Sequence, residues 1–376
     1  MVIDFSRRAS HVLLAGALAL GACGDDDSTP DSSVVADAGA DTTVIDAGAG
    51  DTEPDNDTGP TYGNDQAIAA VKAYVTSELQ SLHDAATAIQ TAAPDADADG
   101  WNYTDDQDAV DAMRSAWSDA RISYERIEGA IAVLFPDHDA STDERYDGFI
   151  QEAADANLFD GMGVTGVHGI ERILWANTPR DVVVAFESAL DDYTVAAMPA
   201  TMQEAADFRT GLCQRLMDDV AEMQTLFAPL ALDTMAAYMG VVDSMAEQTE
   251  KIDLAATGAE ESRYAEHTLA DMRANLEGGM QLYAAFEPWV AVSPAGDGSA
   301  ANAAVAAGFA RVQAGYAPLT GDALPAVPEG WDPDAPTAEH LATPYGTLWT
   351  LLKTEADPAT AGTLVADMIA ASSILR

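Results

Sequence analysis

Apolar residues recur at three- and four-residue spacing from Gln66 onward, and this periodicity is the feature that most constrains the fold. Helix-favouring residues fill this part of the chain, and the alternating β-branched runs typical of strands are absent. Proline and glycine breaks delimit about ten helices with short connections, among them 106–134, 180–196 and 259–287. We therefore predict an all-α fold of packed helical bundles over residues 67–376.

The amino-terminal segment has the features of a bacterial lipoprotein signal. Two arginines precede an apolar run from Val12 to Ala22, which is shorter than the roughly 20 residues that span a bilayer. The run ends in the tetrapeptide LGAC, which closes at Cys23 and resembles a lipobox. We expect residues 1–22 to be a signal peptide and Cys23 to carry the lipid. The protein would then lie in the bacterial cell envelope, at the periplasmic face or the outer membrane.

The charge of the chain is strongly negative, with 17 Lys+Arg against 63 Asp+Glu and a formal net charge of −46. Residues 23–66 contain 12 of these acids and no Lys or Arg, which predicts an acidic, disordered tether. The helical part keeps an excess of about 35 negative charges, which attracts cations. Nucleic acid is excluded as a partner, because phosphate binding needs basic patches. Membrane contact is expected through the lipid only.

A histidine and a glutamate share one face of a predicted helix over 166–176. The segment Gly166-Val-His168-Gly-Ile-Glu171 spaces the imidazole and the carboxylate three residues apart, so that both point to the same side. Helical bundles present metal ligands inward in this way. We therefore interpret His168 and Glu171 as candidate metal ligands.

Further carboxylates lie on the predicted helix 106–134, beside its stripe of apolar residues, and in the segment just after this helix. Glu125 and Glu128 flank that stripe, and Asp139 and Asp143 follow in a stretch that could close a site. Two interpretations of Glu125 remain open: an exposed ion pair with Arg121, or an interior carboxylate that awaits a cation.

A column of polar residues occurs in the second half of the chain. Tyr264, His267, Asp271 and Asn275 share one side of the predicted helix 259–287. Polar residues at this spacing form either a solvated face or a surface that docks on a neighbouring helix. The sequence leaves both interpretations open.

Two other features favour structural roles. Asp95, Asp97 and Asp99 resemble the start of a calcium loop, but position 12 is the short Asp106 and no tandem loop follows, which favours an ordinary acidic turn. Cys213 lies within a predicted helix and is expected to be a buried, inert thiol.

The motifs together resemble the imelysin-like family, which includes iron-uptake proteins of the EfeO and EfeM type. The matching pieces are GxHxxE at 166–171, AR-x-x-YE-x-IE at 120–128, FP-x-x-D at 135–139 and EQ-x-EK at 247–251. The resemblance implies two helical subdomains with a site at their junction. It also implies a ligand set of His168 and Glu171, joined by Glu125 and Glu128, with Asp139 or Asp143 as a further member.

An imidazole with several carboxylates suits iron or manganese better than a structural zinc site. With the resemblance, this predicts an envelope lipoprotein that binds a metal ion, iron foremost and zinc or manganese as alternatives. Its expected partner is an iron-transport permease or another envelope protein. The alternative function is a metallopeptidase that uses His168 and Glu171, although no HExxH motif is present.

Overall fold

The computed structural model describes residues 62–96 and 100–375 of the chain. Within these ranges the secondary structure is helical, with no β-strand, so the all-α prediction is confirmed. The predicted signal peptide, Cys23, most of the predicted tether, and the predicted loop residues Asp97 and Asp99 lie outside the described residues. None of the described helices is long and apolar enough to cross a membrane.

Fifteen α-helices occur in the described ranges. Their bounds are α1 (Asn64–Ala92), α2 (Gln107–Glu125), α3 (Glu128–Leu134), α4 (Pro136–Asp143), α5 (Tyr146–Glu152), α6 (Gly166–Leu174), α7 (Asp181–Glu187), α8 (Met202–Asp207), α9 (Cys213–Phe227), α10 (Thr234–Leu254), α11 (Thr268–Val292), α12 (Gly298–Tyr316), α13 (Ala338–Leu341), α14 (Pro344–Glu355) and α15 (Leu364–Ser372). A π-helical turn, Phe208–Leu212, joins α8 to α9.

The helices pack as two bundles that share one hydrophobic core. Helices α1, α2, α6 and α9 pack together, and helices α10, α11, α12, α14 and α15 form the second group. Helix α11 also packs on α1 and α2, and α10 packs on α3, so the apolar core continues from one bundle into the other. The spacing of apolar residues explains this packing. In helix α1, the buried side chains are apolar and lie at three- and four-residue intervals.

Three predicted helices are shorter than the periodicity indicates. The predicted helix 106–134 is divided, because the amide of Ile127 bonds the carbonyl of Tyr124 in a tighter turn that ends α2. The predicted helix 259–287 begins only at Thr268, because amides before it bond a side chain on α6 rather than the preceding turn. The predicted helix 180–196 ends at Glu187, and the Thr194 amide bonds the hydroxyl of Tyr146.

Cys213 begins α9 and lies in the core. Its side chain is buried, and burial raises the pKa of the thiol. We expect no alkylation of Cys213 by iodoacetamide in the native protein and complete alkylation in denaturant, measured on the Cys213 peptide by mass spectrometry. A Leu226→Cys variant is the control, since Leu226 is an exposed position of the same helix. Native labelling of Cys213 as fast as that control would contradict the burial.

Candidate metal centre

A close contact between α4 and α6 brings the first two residues of the candidate site together. Gly166, the first residue of α6, has a φ of +75°, and a Cβ there would lie 2.2 Å from the carbonyl oxygen of Thr142. Only glycine fits this conformation and this approach without strain. The contact places His168 of α6 beside Asp143, the last residue of α4.

His168 is buried and oriented by Glu171. Its Nδ1 lies 2.8 Å from Oε2 of Glu171, as the three-residue spacing predicts. Its Nε2 lies 3.4 Å from Oδ1 of Asp143 and 3.6 Å from Oε1 of Glu261. This Nε2 is buried and has no hydrogen-bond partner. The imidazole therefore directs Nε2 toward two carboxylates, which it meets in ion-pair contacts without a hydrogen bond.

Glu171 connects the two sides of the site. Its Oε1 accepts hydrogen bonds from the amides of Tyr264 and Ala265, both at 2.8 Å, while Oε2 faces His168. These amides belong to the segment that also holds Glu261. Both oxygens of Glu171 are thus engaged, and its contacts are those of a residue that positions His168 and this segment.

A fully buried arginine contacts these carboxylates from the interior of the protein. Arg121 of α2 is fully buried, and its guanidinium contacts four acids. The four are Glu125, Asp143, Glu261 at 2.8 Å and Asp271 at 3.6 Å. The Arg121–Glu125 pair is therefore interior, and the exposed ion pair considered from the sequence is not formed.

Lys251 of α10 neutralises a second set of acids. Its Nζ lies 2.9 Å from Glu125, 3.1 Å from Glu128 and 3.6 Å from Glu261. An ammonium that is only 4% exposed needs such partners, because burial of an unpaired charge is costly. Glu261 therefore contacts both buried cations, Arg121 and Lys251.

The charges of this cluster shift its protonation equilibria. Burial and Arg121 disfavour the imidazolium of His168, but the three carboxylates around it outweigh them and raise its pKa to about 10. Burial disfavours ionisation of Glu261, yet Lys251 and the arginines hold its pKa well below the usual range. Burial and the charge of Glu125 raise the pKa of Glu128 well above its ordinary value.

The residues Asp143, His168 and Glu261 form a group that fits a metal ion, and we call them the ligand trio. One potential ligand atom from each lies within 4.8 Å of the others. Ligands bound at about 2.0–2.2 Å to one ion lie about 3 Å apart, close to the observed separations. A second group, Glu125, Glu128 and Glu261, meets the same distance condition. There the ammonium of Lys251 contacts all three members, whereas in the trio Arg121 contacts Asp143 and Glu261 and leaves His168 without a cation partner.

Asp139 and Asp95, which the sequence analysis also considered as metal ligands, belong to neither group. Asp139 accepts a hydrogen bond from the Tyr124 hydroxyl and is outside both groups. Asp95 is exposed and pairs with Arg209 at 3.1 Å. Burial raises the pKa of Asp139 to about 6, with a further contribution from the charge of Asp143.

The polar column of the second half is buried and docks on neighbouring helices. His267 bonds Asp271 through Nδ1 at 2.8 Å, and Nε2 lies 2.6 Å from the hydroxyl of Ser118 on α2. Asn275 donates to Glu128 at 3.0 Å, and the Tyr264 hydroxyl donates to Glu187 at 2.7 Å. This column is therefore an internal hydrogen-bond network and not a solvated face.

Sequence reasoning missed Glu261 and Lys251 as members of the cluster. Glu261 lies in the non-helical segment before α11, so helical periodicity could not assign it to a face. Lys251 reads as an ordinary surface residue of a helix. The available signal was the resemblance: Lys251 ends the EQ-x-EK piece, and Glu261 begins the sequence ESRY at 261–264, a further piece that resembles the same family.

The fold and the site define a class of all-α protein with a buried imidazole and several carboxylates where its bundles meet. The family model described as Imelysin, peptidase family M75, matches residues 67–343. The chain therefore belongs to the imelysin family.

Several relatives carry the name "Iron uptake system component EfeO". The protein from Escherichia coli K12 is 28% identical over 223 residues, which cover 59% of this chain and 46% of that protein. Those from Shigella flexneri and E. coli O157:H7 match with the same identity and coverage. This chain thus spans about half the length of these relatives. An imelysin-like protein from Psychrobacter arcticum 273-4 aligns with a TM-score of 0.44 and 15% identity, over 77% of this chain and 88% of that chain.

The contact at Gly166 gives a direct test of how α6 is positioned. Gly166→Ala combines left-handed backbone strain with a clash against Thr142, and we expect a loss of about 3 kcal/mol in unfolding free energy. Gly321→Ala is the control, because Gly321 has a φ of +76° but open space around it. It should lose only about 1 kcal/mol. Urea unfolding followed by circular dichroism measures both, and equal losses would contradict the close contact.

Proposed function

We propose that this protein binds a metal ion, iron foremost, as an accessory component of iron uptake. The single observation that carries the proposal is the orphaned Nε2 of His168, which faces Asp143 and Glu261 at 3.4 and 3.6 Å. The name of the EfeO relatives, iron uptake system component, supports iron as the cargo. Imidazole and carboxylate donors suit iron or manganese, with zinc as a further alternative.

Each residue of the cluster has a separate task in this proposal. The ligand trio would hold the ion, and Glu171 would hold His168 in the orientation that directs Nε2 toward it. Arg121 would stabilise the carboxylates when no ion is bound. After Asp143 and Glu261 turn to the ion, Arg121 would keep Glu125 and Asp271 as partners, so its charge would stay neutralised.

The burial of the site favours an ion over a polypeptide as the bound species. His168 is 4% exposed and Glu171 is 1% exposed. A metallopeptidase that used these residues would have to admit an extended peptide to a position now filled by helix packing. A small ion needs only side-chain movement, and the negative charge of the protein would concentrate cations near it.

We further propose a place in the cell envelope. In this proposal Cys23 carries the lipid, residues 23–66 form the tether, and the helical part presents the metal to a permease or another envelope protein. The support is the sequence of the amino-terminal segment together with the family relationship.

Removal of the imidazole tests the proposed metal site. His168→Ala should weaken ferrous ion binding by about 100-fold or more, since it removes a ligand outright and even supporting residues are worth 10–100-fold. Competition of the full chain with a chromophoric chelator under argon measures this affinity. His138→Ala is the control, because His138 pairs with Glu222 outside the cluster. Equal affinities in the two variants would overturn the assignment.

Replacement of Glu171 tests its positioning role. Glu171→Gln keeps the size of the side chain but loses the charge that orients His168, and we expect iron affinity to fall about 10–100-fold. The number of ions bound at saturation should remain that of the unaltered protein. Loss of all binding would instead indicate that Glu171 is itself an essential ligand. Unchanged affinity would show that the His168 orientation does not depend on it.

A further inference from the structure

Two groups of potential metal ligands in the cluster have one residue in common. The ligand trio includes Glu261, and so does the second group, which adds Glu125 and Glu128. In each group, one ligand atom from every member lies within 4.8 Å of the others. A carboxylate that belongs to two ligand groups can bridge two ions, and the ions of two-metal sites lie about 3.5–4 Å apart. The cluster therefore has the ligands of a centre with two cation positions.

The second position already holds a cation, the ammonium group of Lys251. Its Nζ lies 2.9 Å from Oε1 of Glu125, 3.1 Å from Oε1 of Glu128 and 3.6 Å from Oε1 of Glu261. An ammonium is a compact point charge, and here it contacts one oxygen of every member of the second group. Lys251 belongs to α10, which supplies no member of either group. A separate helix thus brings a cation to these three carboxylates.

The carboxylates of the second group are buried and oriented independently of Lys251. Oε2 of Glu128 accepts a hydrogen bond from Nδ2 of Asn275 at 3.0 Å, and Oδ1 of Asn275 accepts one from Gln248 at 2.6 Å. Glu125 is 1% exposed, and its Oε2 is buried without a hydrogen-bond partner. A buried oxygen without a donor is costly, so it calls for an explanation. Glu125 therefore has an oxygen to offer an ion that no hydrogen bond uses.

We propose that Lys251 occupies the second position of this centre as a built-in cation and limits the protein to one metal ion; this inference rests on the proposed function. A divalent ion in the second position would lie against the buried ammonium, and the repulsion between like charges excludes it. Carboxylate-rich centres in other helical bundles bind two ions. This centre carries one ion because a side chain supplies the other charge.

Removal of the ammonium tests this role. Lys251→Met keeps an unbranched, flexible side chain but leaves the three carboxylates without their cation. We expect the unaltered protein to bind one ferrous ion per chain at saturation and Lys251→Met to bind two, because the second ion replaces the lost charge. Equilibrium dialysis of the full chain against ferrous chloride under argon, followed by metal analysis, counts the ions. Sodium chloride at about 0.5 M screens the exposed acids and suppresses weak binding to them.

Matched variants assign the second ion to its position. Lys353→Met makes the same substitution at a partly exposed lysine that pairs with Asp253 at 2.6 Å, and it should bind one ion. Lys251→Arg keeps a cation and should also bind one. Addition of Glu128→Gln to Lys251→Met removes a member of the second group and none of the trio. This double variant should return the count from two to one.

A second variant covers the case in which Lys251→Met folds poorly. Lys251→Gln removes the charge but keeps N–H donors for the carboxylates, and it should also bind two ions. Circular dichroism at saturating iron establishes that each counted variant is folded. The unaltered protein provides a measurement that needs no variant, since the inference requires a count of one.

The outcomes separate this inference from the proposed function. One ion per chain in folded Lys251→Met and Lys251→Gln overturns the role of Lys251 while the metal site stands. Two ions in the unaltered protein also overturn it, because the ammonium then does not limit the count. A second ion that persists after Glu128→Gln is added overturns it as well, since that ion then binds elsewhere. Absence of any bound ion in the unaltered protein overturns the proposed function itself.

Discussion

The buried guanidinium of Arg121 is the interaction on which the candidate site depends. It takes a full positive charge out of water, which is tolerable only with several acceptors of opposite charge. Those acceptors come from α2, from the end of α4, from the segment before α11 and from α11 itself. One side chain therefore ties together four parts of the chain that are distant in sequence. The carboxylates of the ligand trio are held near one another by this charge.

Glu261 is the shared partner that joins the separate ion pairs into one network. Its Oε1 faces Arg121, Lys251 and His168, while Oε2 accepts from Arg145. Any movement of Glu261 toward an ion must loosen at least one of these contacts. Glu171 limits that movement, because it bonds the amides just after Glu261 and the imidazole of His168 at once. Glu171 thus orients His168 before a ligand arrives, which reduces the cost of ordering that side chain on binding.

Much of this arrangement follows from local sequence rules, and the rest depends on tertiary contacts. The three-residue spacing of His168 and Glu171 predicts a shared helical face, because a helix fixes that geometry. The structure adds that the two side chains are in direct contact there. The local sequence could not show whether the Arg121–Glu125 pair is buried, since a four-residue spacing on a helix also suits an exposed ion pair. Glu261 lies outside any helix, where no periodicity applies. Its position is set by hydrogen bonds across the fold, and a single sequence does not contain that information.

The most direct test of the account is to locate a bound ion. Crystals of the full chain prepared with ferrous chloride under argon would be measured at the iron absorption edge, where the anomalous signal identifies the metal. We expect an anomalous peak at bonding distance from Nε2 of His168 and from carboxylate oxygens of Asp143 and Glu261. A peak at another position, with none at His168, would contradict it.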